Sequence, residues 1–465
     1  MVATISQPRL SAFHALTSVE AGRSDLPTAL ARSRATLHDE RDRALTAEIV
    51  TGTLRWRGQL DALVAHFSRR PVARLDPEIL TILRLSVYQI LHLARVPASA
   101  ATNDAVALAR HARKASAAAF VNAVLRSIVR DRSTLPLPER PSADVLARIP
   151  VNPAARALAL EYLTVTLSHP AWLAARWLDR LGFDATVQWE CFNNAAAPLT
   201  LRANTLKTTT GELGRQLRDC GVATTPTTYA PDGLVVIDGN PLQTPLAETG
   251  VFTVQDEASQ LVAVLAAPRR GERVLDLCAA PGGKTTAMAA AMADEGLIVA
   301  ADVRTKRLDL LRRTVERSGA HIIRLALVDA RLDLPVRGAP FDLVLLDAPC
   351  SGLGTLRRDP EIRWRRKEVD LAPLAAAQRA MLDQASAVVR PGGRLVYATC
   401  SSEPEENDLV IDGFLDGHPS FSLVRPRVDA YSTGLAAVLD ARGLLRTSPV
   451  AHGLEAFFAA VLLRS

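Results

Sequence analysis

At 465 residues, with 48% hydrophobic and 22% charged side chains, the chain exceeds one ordinary domain and its composition excludes extended disorder. It has no apolar run long enough to span a bilayer, its first residues (MVATISQPRL) lack the apolar core of a secretion signal, and its five cysteines form no CxxC pair. Residues 1–145 hold 20 Lys+Arg against 13 Asp+Glu, whereas the rest holds 35 against 36; a basic module on a near-neutral body predicts an anionic partner, nucleic acid first, with a solvated helical surface as the alternative.

Taken in chain order, residues 1–132 read as helices. Apolar residues recur at spacings of three and four in ILTILRLSVYQILHLA (79–94) and AAAFVNAVLRSIV (117–129), and Asp76-Pro77 and Val96-Pro97 look like helix boundaries. The stretch 131–153, rich in proline and charge, reads as a linker. Residues 154–250 mix helical stretches with short strand-like ones such as PLTLRANT and LVVIDG, as a small α+β module would.

From about residue 251 short apolar strands alternate with helices: RVLDLC (273–278), LIVAADV (297–303), IIRLALVDA (322–330), FDLVLLDA (341–348) and GRLVYATC (393–400). This pattern predicts a parallel, doubly wound sheet, whose ligands bind at the carboxyl ends of the strands. Each predicted end carries a chemical group. The first runs into Cys278-Ala279-Ala280-Pro281-Gly282-Gly283-Lys284, the second ends at Asp302, the third at Asp329, the fourth at Asp347-Ala348-Pro349-Cys350 and the fifth at Thr399-Cys400.

Two glycines let the loop backbone approach a ligand closely. The loop has neither GxGxxG nor P-loop spacing, which argues against a nucleoside triphosphate. A carboxylate some 20 residues beyond such a loop suits a ribose diol, which Asp302 could bind, and Asp329 could accept from an adenine amino group; together they describe an adenosyl cofactor without a polyphosphate. A lone strand-end aspartate is more often a helix cap, and a free cysteine more often a small buried hydrophobe. The coincidence of groups at one edge favours a site. Only five of 55 basic residues are lysines, which makes Lys284 beside the predicted thiols a specific choice; a nearby cation favours the thiolate. The stretch 354–367 holds six basic residues, two acidic ones and Trp364, and suits a phosphate backbone and a flipped base, or else a salt-bridged surface helix.

The stretches VQDEASQ (254–260), VLDLCAAPGGKTT (274–286), ADVRTKRL (301–308), VDA (328–330), FDLVLLDAPCSGLGTLRRDPEIRW (341–364) and VRPGGRLVYATCSSEPEEND (389–408) resemble the RNA cytosine-5 methyltransferases. The whole chain is similar to their bacterial Fmu/Sun branch, whose members methylate small-subunit ribosomal RNA. FVNAVLR (120–126) and the helix pattern around it resemble the NusB family of RNA-binding helical modules.

The resemblance implies a multidomain protein: an all-α NusB-like helical RNA-binding domain over 1–145, a small α+β linker or RNA-binding module over 146–250, and an α/β Rossmann-like class I methyltransferase domain over 251–465. It implies S-adenosylmethionine as cofactor, held by Cys278 to Lys284, Asp302, Arg307, Asp329 and Asp347. It also implies RNA, most simply small-subunit rRNA, as partner, with a monomeric, cytoplasmic protein and neither metal nor membrane. Cys400 is then the nucleophile, Cys350 assists product release, Asp347 binds the base and Lys284 supports the site. Two cysteines suit the chemistry, because thiolate addition at carbon 6 activates carbon 5 of cytosine and the adduct must afterwards be expelled. One departure stands at 452–458, where HGLEAFF replaces an expected HGTDGFF-like segment, and 409–451 matches weakly. The competing readings are a tRNA or other RNA substrate, a NusB-like binding protein with a decayed enzyme domain, and a DNA methyltransferase using Cys350. Intact strand ends weigh against decay, and the TC motif at 399–400 weighs against DNA.

Overall fold

The computed structural model describes residues 5–336, 338, 340–429 and 432–465. The chain forms two compact units, Met1–Ala195 with Leu356–Arg366, and Ala196–Thr355 with Lys367–Ser465.

The first unit is helical. Helices Gln7–Glu20, Leu26–Thr36, Glu40–Arg55, Arg57–Ser68, Pro77–His92, Ala98–His111 and Ala118–Arg130 share one apolar core. Asp76 accepts the Glu78 and Ile79 N–H groups and Pro77 begins the helix, so the expected start at Asp76-Pro77 is a capped helix terminus. Pro77–His92 is apolar around most of its circumference, and every residue from Ile79 to Gln89 is buried, as befits a central helix. The polar groups it carries inward are paired: Arg84 meets Asp61 and Glu20, and Gln89 accepts from Arg9. Helices Pro153–Glu161, Ala171–Leu181 and Phe183–Asn194 belong to this unit too.

So does the segment 356–366, and two of its side chains expected to meet a nucleic acid, Arg363 and Trp364, are turned into the helices instead. Arg363 is 0% exposed, and its guanidinium donates to the carbonyls of Arg55, Ser168 and Asn193 and to the Asn194 side chain. The Trp364 indole donates to the Leu54 carbonyl, and Glu361 accepts the Leu26 N–H. Arg365 pairs with Glu361, and Arg357 lies 4.3 Å from the Phe192 ring centre. Basic and aromatic residues in series are as useful for anchoring a chain among helix-terminal carbonyls as for holding phosphate, and composition does not separate the two.

The second unit carries two sheets. Strands β1 (Thr200–Ala203), β2 (Ala223–Pro226), β3 (Gly233–Asp238) and β4 (Phe252–Val254) form an antiparallel sheet in the order β2-β3-β1-β4, with helix Thr210–Asp219 packed against it. The larger sheet contains β5 (Arg273–Leu277), β6 (Leu297–Asp302), β7 (Ile323–Leu327), β8 (Phe341–Asp347), β9 (Val389–Thr399), β10 (Phe421–Leu423), β11 (Leu445–Arg446) and β12 (Phe458–Arg464). Its order is β10-β12-β9-β8-β5-β6-β7, with β11 on β12. The five strands foreseen from the sequence are parallel, but β10, β11 and β12 add antiparallel pairings, so the sheet is mixed. Successive residues alternate between two cores: Val274, Leu343, Leu345 and Val396 face one layer, and Leu275, Val344, Leu346 and Leu395 the other. Among the described residues no helix is long and apolar enough to cross a membrane.

All five tryptophans (56, 172, 177, 189 and 364) lie in the first unit, so their fluorescence reports its unfolding. Arg363→Ala would take a donor from the Ser168 and Asn193 carbonyls and leave the Arg55 carbonyl with the Ser168 hydroxyl alone among the described residues, and we expect it to lower the stability of that unit by about 2–4 kcal/mol. Urea unfolding followed by tryptophan emission checks this; an unchanged midpoint would contradict the anchoring role.

Candidate active site

The loop after β5 turns tightly. The Ala279 N–H donates to Ala301 and the Gly282 N–H to Ala279, after which helix Gly283–Ala291 begins. Gly282 has φ +103°, and a Cβ there would lie 2.7 Å from Leu311 Cδ1, so glycine is required twice over. Cys278 adopts φ +62°, a conformation costly for a residue with a side chain and typical of functional turns.

Asp302, the last residue of β6, is 2% exposed. One of its oxygens accepts the Ala280 N–H at 3.3 Å, the other the Arg304 N–H at 3.2 Å. The Arg307 guanidinium lies 3.8 Å from Asp302 and donates to the Ala280 carbonyl at 3.1 Å. These two side chains brace the glycine loop, a task the sequence reading did not assign them. Asp329 sits beyond β7 and is held by Arg331 through side-chain and backbone hydrogen bonds, which bring its carboxyl down to about 2.

At the end of β8, Asp347 accepts from the Lys284 ammonium at 2.7 Å. Burial pulls the Lys284 pKa down, but the Asp347 charge and hydrogen bond outweigh it and the ammonium is raised above its ordinary value. The ammonium also lies 5.5 Å from the Phe457 ring centre. Lys284, Asp347, Phe457 and Pro281 line part of a cavity of about 450 Å³.

The two thiols at the neighbouring strand ends touch, with Cys350 Sγ 3.3 Å from Cys400 Sγ. The hydrogen bond from Cys350 lowers the Cys400 pKa, opposed by burial and the Asp347 charge and helped by Lys284. Cys350 moves well up, through that same bond to Cys400 and then through burial. The pair is therefore polarised in direction, with the Lys284 charge favouring the thiolate at Cys400 and burial and the Glu406 charge favouring the thiol at Cys350. Cys278 differs: burial first, then Asp347, Asp302 and Asp276, push its thiol up to about 12. Cys191 and Cys220 are exposed, in helix Phe183–Asn194 of the first unit and just after helix Thr210–Asp219.

Thus Lys284, Asp347, Cys350 and Cys400 come together, and Asp302 and Arg307 meet at the glycine loop, whereas Asp329 faces Arg331. Sequence reasoning passed over two residues here. Gly354 donates its N–H to the Cys400 carbonyl and accepts from Ala456, and a Cβ on it would lie 2.0 Å from the Ala456 carbonyl oxygen; the hint was a second glycine in CSGLGT. Asp276 is 1% exposed and raised to about 7 by burial, with Thr285 donating to Oδ2. Its Oδ1 has no partner among the described residues.

Because the Lys284 charge favours the Cys400 thiolate and also neutralises Asp347, Lys284→Met should move Cys400 alkylation by iodoacetamide to higher pH. Mass spectrometry of the Cys400 peptide across a pH series checks this; a profile matching the wild type would separate Lys284 from the thiol.

A family described as 16S rRNA methyltransferase RsmB/F matches residues 263–463, the NusB family matches 6–130, and an RsmF/B-like ferredoxin-like methyltransferase domain matches 169–243. A probable ribosomal RNA small subunit methyltransferase B from Bacillus subtilis is 35% identical over 383 residues, 82% of each chain. The ribosomal RNA small subunit methyltransferase B of Pseudomonas syringae is 35% identical over 421 residues, covering 88% of this chain and 86% of that one. A solved methyltransferase homolog from Pyrococcus horikoshii, 28% identical, covers 68% of this chain and 100% of its own with a TM-score of 0.58. The NusB match falls within the helical unit and the methyltransferase match covers the mixed sheet, and the chain belongs to the RsmB/F family of 16S rRNA methyltransferases.

Proposed function

We propose that this protein transfers a methyl group from S-adenosylmethionine to carbon 5 of a cytosine in small-subunit ribosomal RNA. In this reading Cys400 is the nucleophile and Cys350 the group that releases the product. The observation that carries the reading is the polarised contact between two thiols at adjacent ends of parallel strands. Small-subunit rRNA is the substrate named for the Bacillus and Pseudomonas relatives. The basic charge over 1–145, which contains the stretch matching NusB, supports a share in holding RNA.

The cofactor fits what the glycine loop offers. Its surroundings are carboxylates, namely Asp302, Asp347 and the buried Asp276 with one oxygen unpartnered. The loop's own lysine is committed to Asp347. Such a set suits hydroxyl and amino donors and a sulfonium, and repels a polyphosphate. Asp302 would hold the ribose hydroxyls, Asp329 the adenine amino group, and residues 278–283 the rest through their backbone; Arg307 would keep that backbone in place. When bound, S-adenosylmethionine supplies an electrophilic methyl group.

The side chains do the rest. The Cys400 thiolate adds to carbon 6, and the ring electrons move toward carbon 5 and nitrogen 3. Asp347, one oxygen held by Lys284 and its side chain 30% exposed, accepts from the cytosine amino group and from nitrogen 3, which takes a proton from water as the ring electrons reach it and returns it when the ring is restored. Carbon 5 takes the methyl group. Cys400 is now a thioether, so the sulfur that held the Cys350 proton most firmly no longer carries charge, and Cys350 loses its proton more readily. The Cys350 thiolate then takes the carbon 5 proton, the carbon 5–carbon 6 double bond re-forms, and the sulfur–carbon 6 bond breaks to return the Cys400 thiolate. One proton is released per methyl transferred, as the overall reaction requires.

The two cysteines therefore differ in what their loss does. Cys400→Ala should abolish methyl transfer with S-adenosylmethionine affinity nearly intact. Cys350→Ala should accumulate a covalent protein–RNA complex, because addition proceeds and release fails. Denaturing gels of each variant with small-subunit rRNA check this; an adduct from Cys400→Ala and none from Cys350→Ala would reverse the roles.

A further inference from the structure

Glu406 is fully buried in the turn after β9, where a carboxylate is costly unless donors surround it. Four do. Oε1 accepts the Ser351 N–H at 2.7 Å and the Gln378 amide at 2.9 Å; Oε2 accepts the hydroxyls of Ser351 and Ser401. Ser351 follows Cys350 in the chain, and Ser401 follows Cys400. The supports are themselves supported. Gln378 also donates to the Pro349 carbonyl at 3.0 Å, the Tyr397 hydroxyl donates to the Glu406 carbonyl at 2.6 Å, and the Ser401 hydroxyl accepts the Glu403 N–H at 3.1 Å. One carboxylate thus joins the residues next to both thiols, in two loops that otherwise meet through the Gly354 N–H on the Cys400 carbonyl and the contact of the Ser351 and Ser401 hydroxyls.

We propose that Glu406 is a positioning residue that ties the two cysteine loops together and so holds the thiols in contact. The proposal rests on the roles given above to Cys400 and Cys350. Glu406 acts on the thiols through Ser351 and Ser401.

The tie and the charge work in opposite directions. The Glu406 charge raises both thiols. The groups facing Cys400 are Cys350, Asp347, Lys284 and Glu406; those facing Cys350 are Cys400, Glu406, the Tyr397 phenol and the Gly352 N–H. A carboxylate that disfavours thiolates, yet stands behind both, is explained by the four directed hydrogen bonds it accepts. Glutamine separates the two effects. Its carbonyl can keep Ser351 N–H and Gln378, and its amide can donate to the two hydroxyls, which rotate to accept. It keeps the tie and loses the charge.

The test uses the full chain and reads thiol proximity without RNA. Diamide, a mild two-electron oxidant, converts touching thiols to a disulfide and takes up their two protons; peptide mass spectrometry follows the Cys350–Cys400 product. Wild type and Glu406→Gln should form it at similar rates, and Glu406→Ala at least tenfold more slowly. Cys400 alkylation should shift to lower pH in Glu406→Gln. Methyl transfer by Glu406→Ala should fall in kcat by about a hundredfold or more, with KM for RNA and for S-adenosylmethionine little changed. Wild-type disulfide formation in folded Glu406→Ala would overturn the proposal. Should that variant not fold, Glu406→Gln decides alone: slow disulfide formation or an unshifted alkylation profile in the folded protein would overturn it. Failure to methylate cytosine in any variant, wild type included, would count against the proposed reaction and leave the proximity result standing.

Discussion

The parallel pairing of β8 with β9 is the constraint on which the site depends. Their register sets Asp347 opposite Ala398, and the Ala348 N–H donates to the Ala398 carbonyl at 2.8 Å, so the two strands leave the sheet side by side. Cys350 follows three residues beyond Asp347, and Cys400 two beyond Ala398. β5 pairs with β8 on its other edge and delivers the glycine loop and Lys284 to the same end of the sheet. A parallel sheet buried on both faces permits little slippage, because a shift of one residue would turn every apolar side chain toward the wrong core. The placement of the reactive groups is therefore inherited from packing far below them.

Upon that frame the electrostatics divide labour between similar groups. Three cysteines stand at this edge, and only Cys400 is favoured as a thiolate. Cys278 faces a ring of aspartates that the Arg307 charge offsets only in part, and Cys350 is held up by its contact with Cys400, by burial and by the charges of its neighbours. A single ammonium, Lys284, lies between Asp347 and the thiol pair, serving the carboxylate by contact and Cys400 by charge. An arginine there would bring a planar fork in place of a compact point charge. That difference gives a physical reason for a lysine in a chain that otherwise uses arginine.

Much of this was legible in the sequence because it is local. Strand-length apolar runs ending in Asp or Cys announced the sheet edge, the paired glycines announced the loop, and Asp76-Pro77 announced a helix start. Other features depend on contacts between residues distant in sequence, which no spacing reveals. Glu406 reads as one acid among several in SSEPEEND, and only the fold shows it reaching back to Ser351. Gly354 is required by Ala456, about a hundred residues later. The basic stretch 354–367 suits an RNA phosphate backbone or a salt-bridged surface helix equally by composition, since the same side chains also suit helix carbonyls; the fold places Arg363 and Trp364 among the latter. β12 was missed although FAAVLLR is apolar, because an antiparallel strand inserted beside β9 breaks the alternation of strand and helix that guided the reading.

The covalent bond from Cys400 to carbon 6 is the central claim, and small-subunit rRNA carrying 5-fluorocytidine tests it most directly. Fluorine at carbon 5 cannot leave as the proton does, so an adduct formed and methylated there persists. Incubation with S-adenosylmethionine, digestion and peptide mass spectrometry should locate the nucleotide on Cys400, with one methyl group added. A nucleotide on Cys350, or rapid methylation of ordinary rRNA with no adduct on either cysteine of the fluorinated substrate, would contradict it.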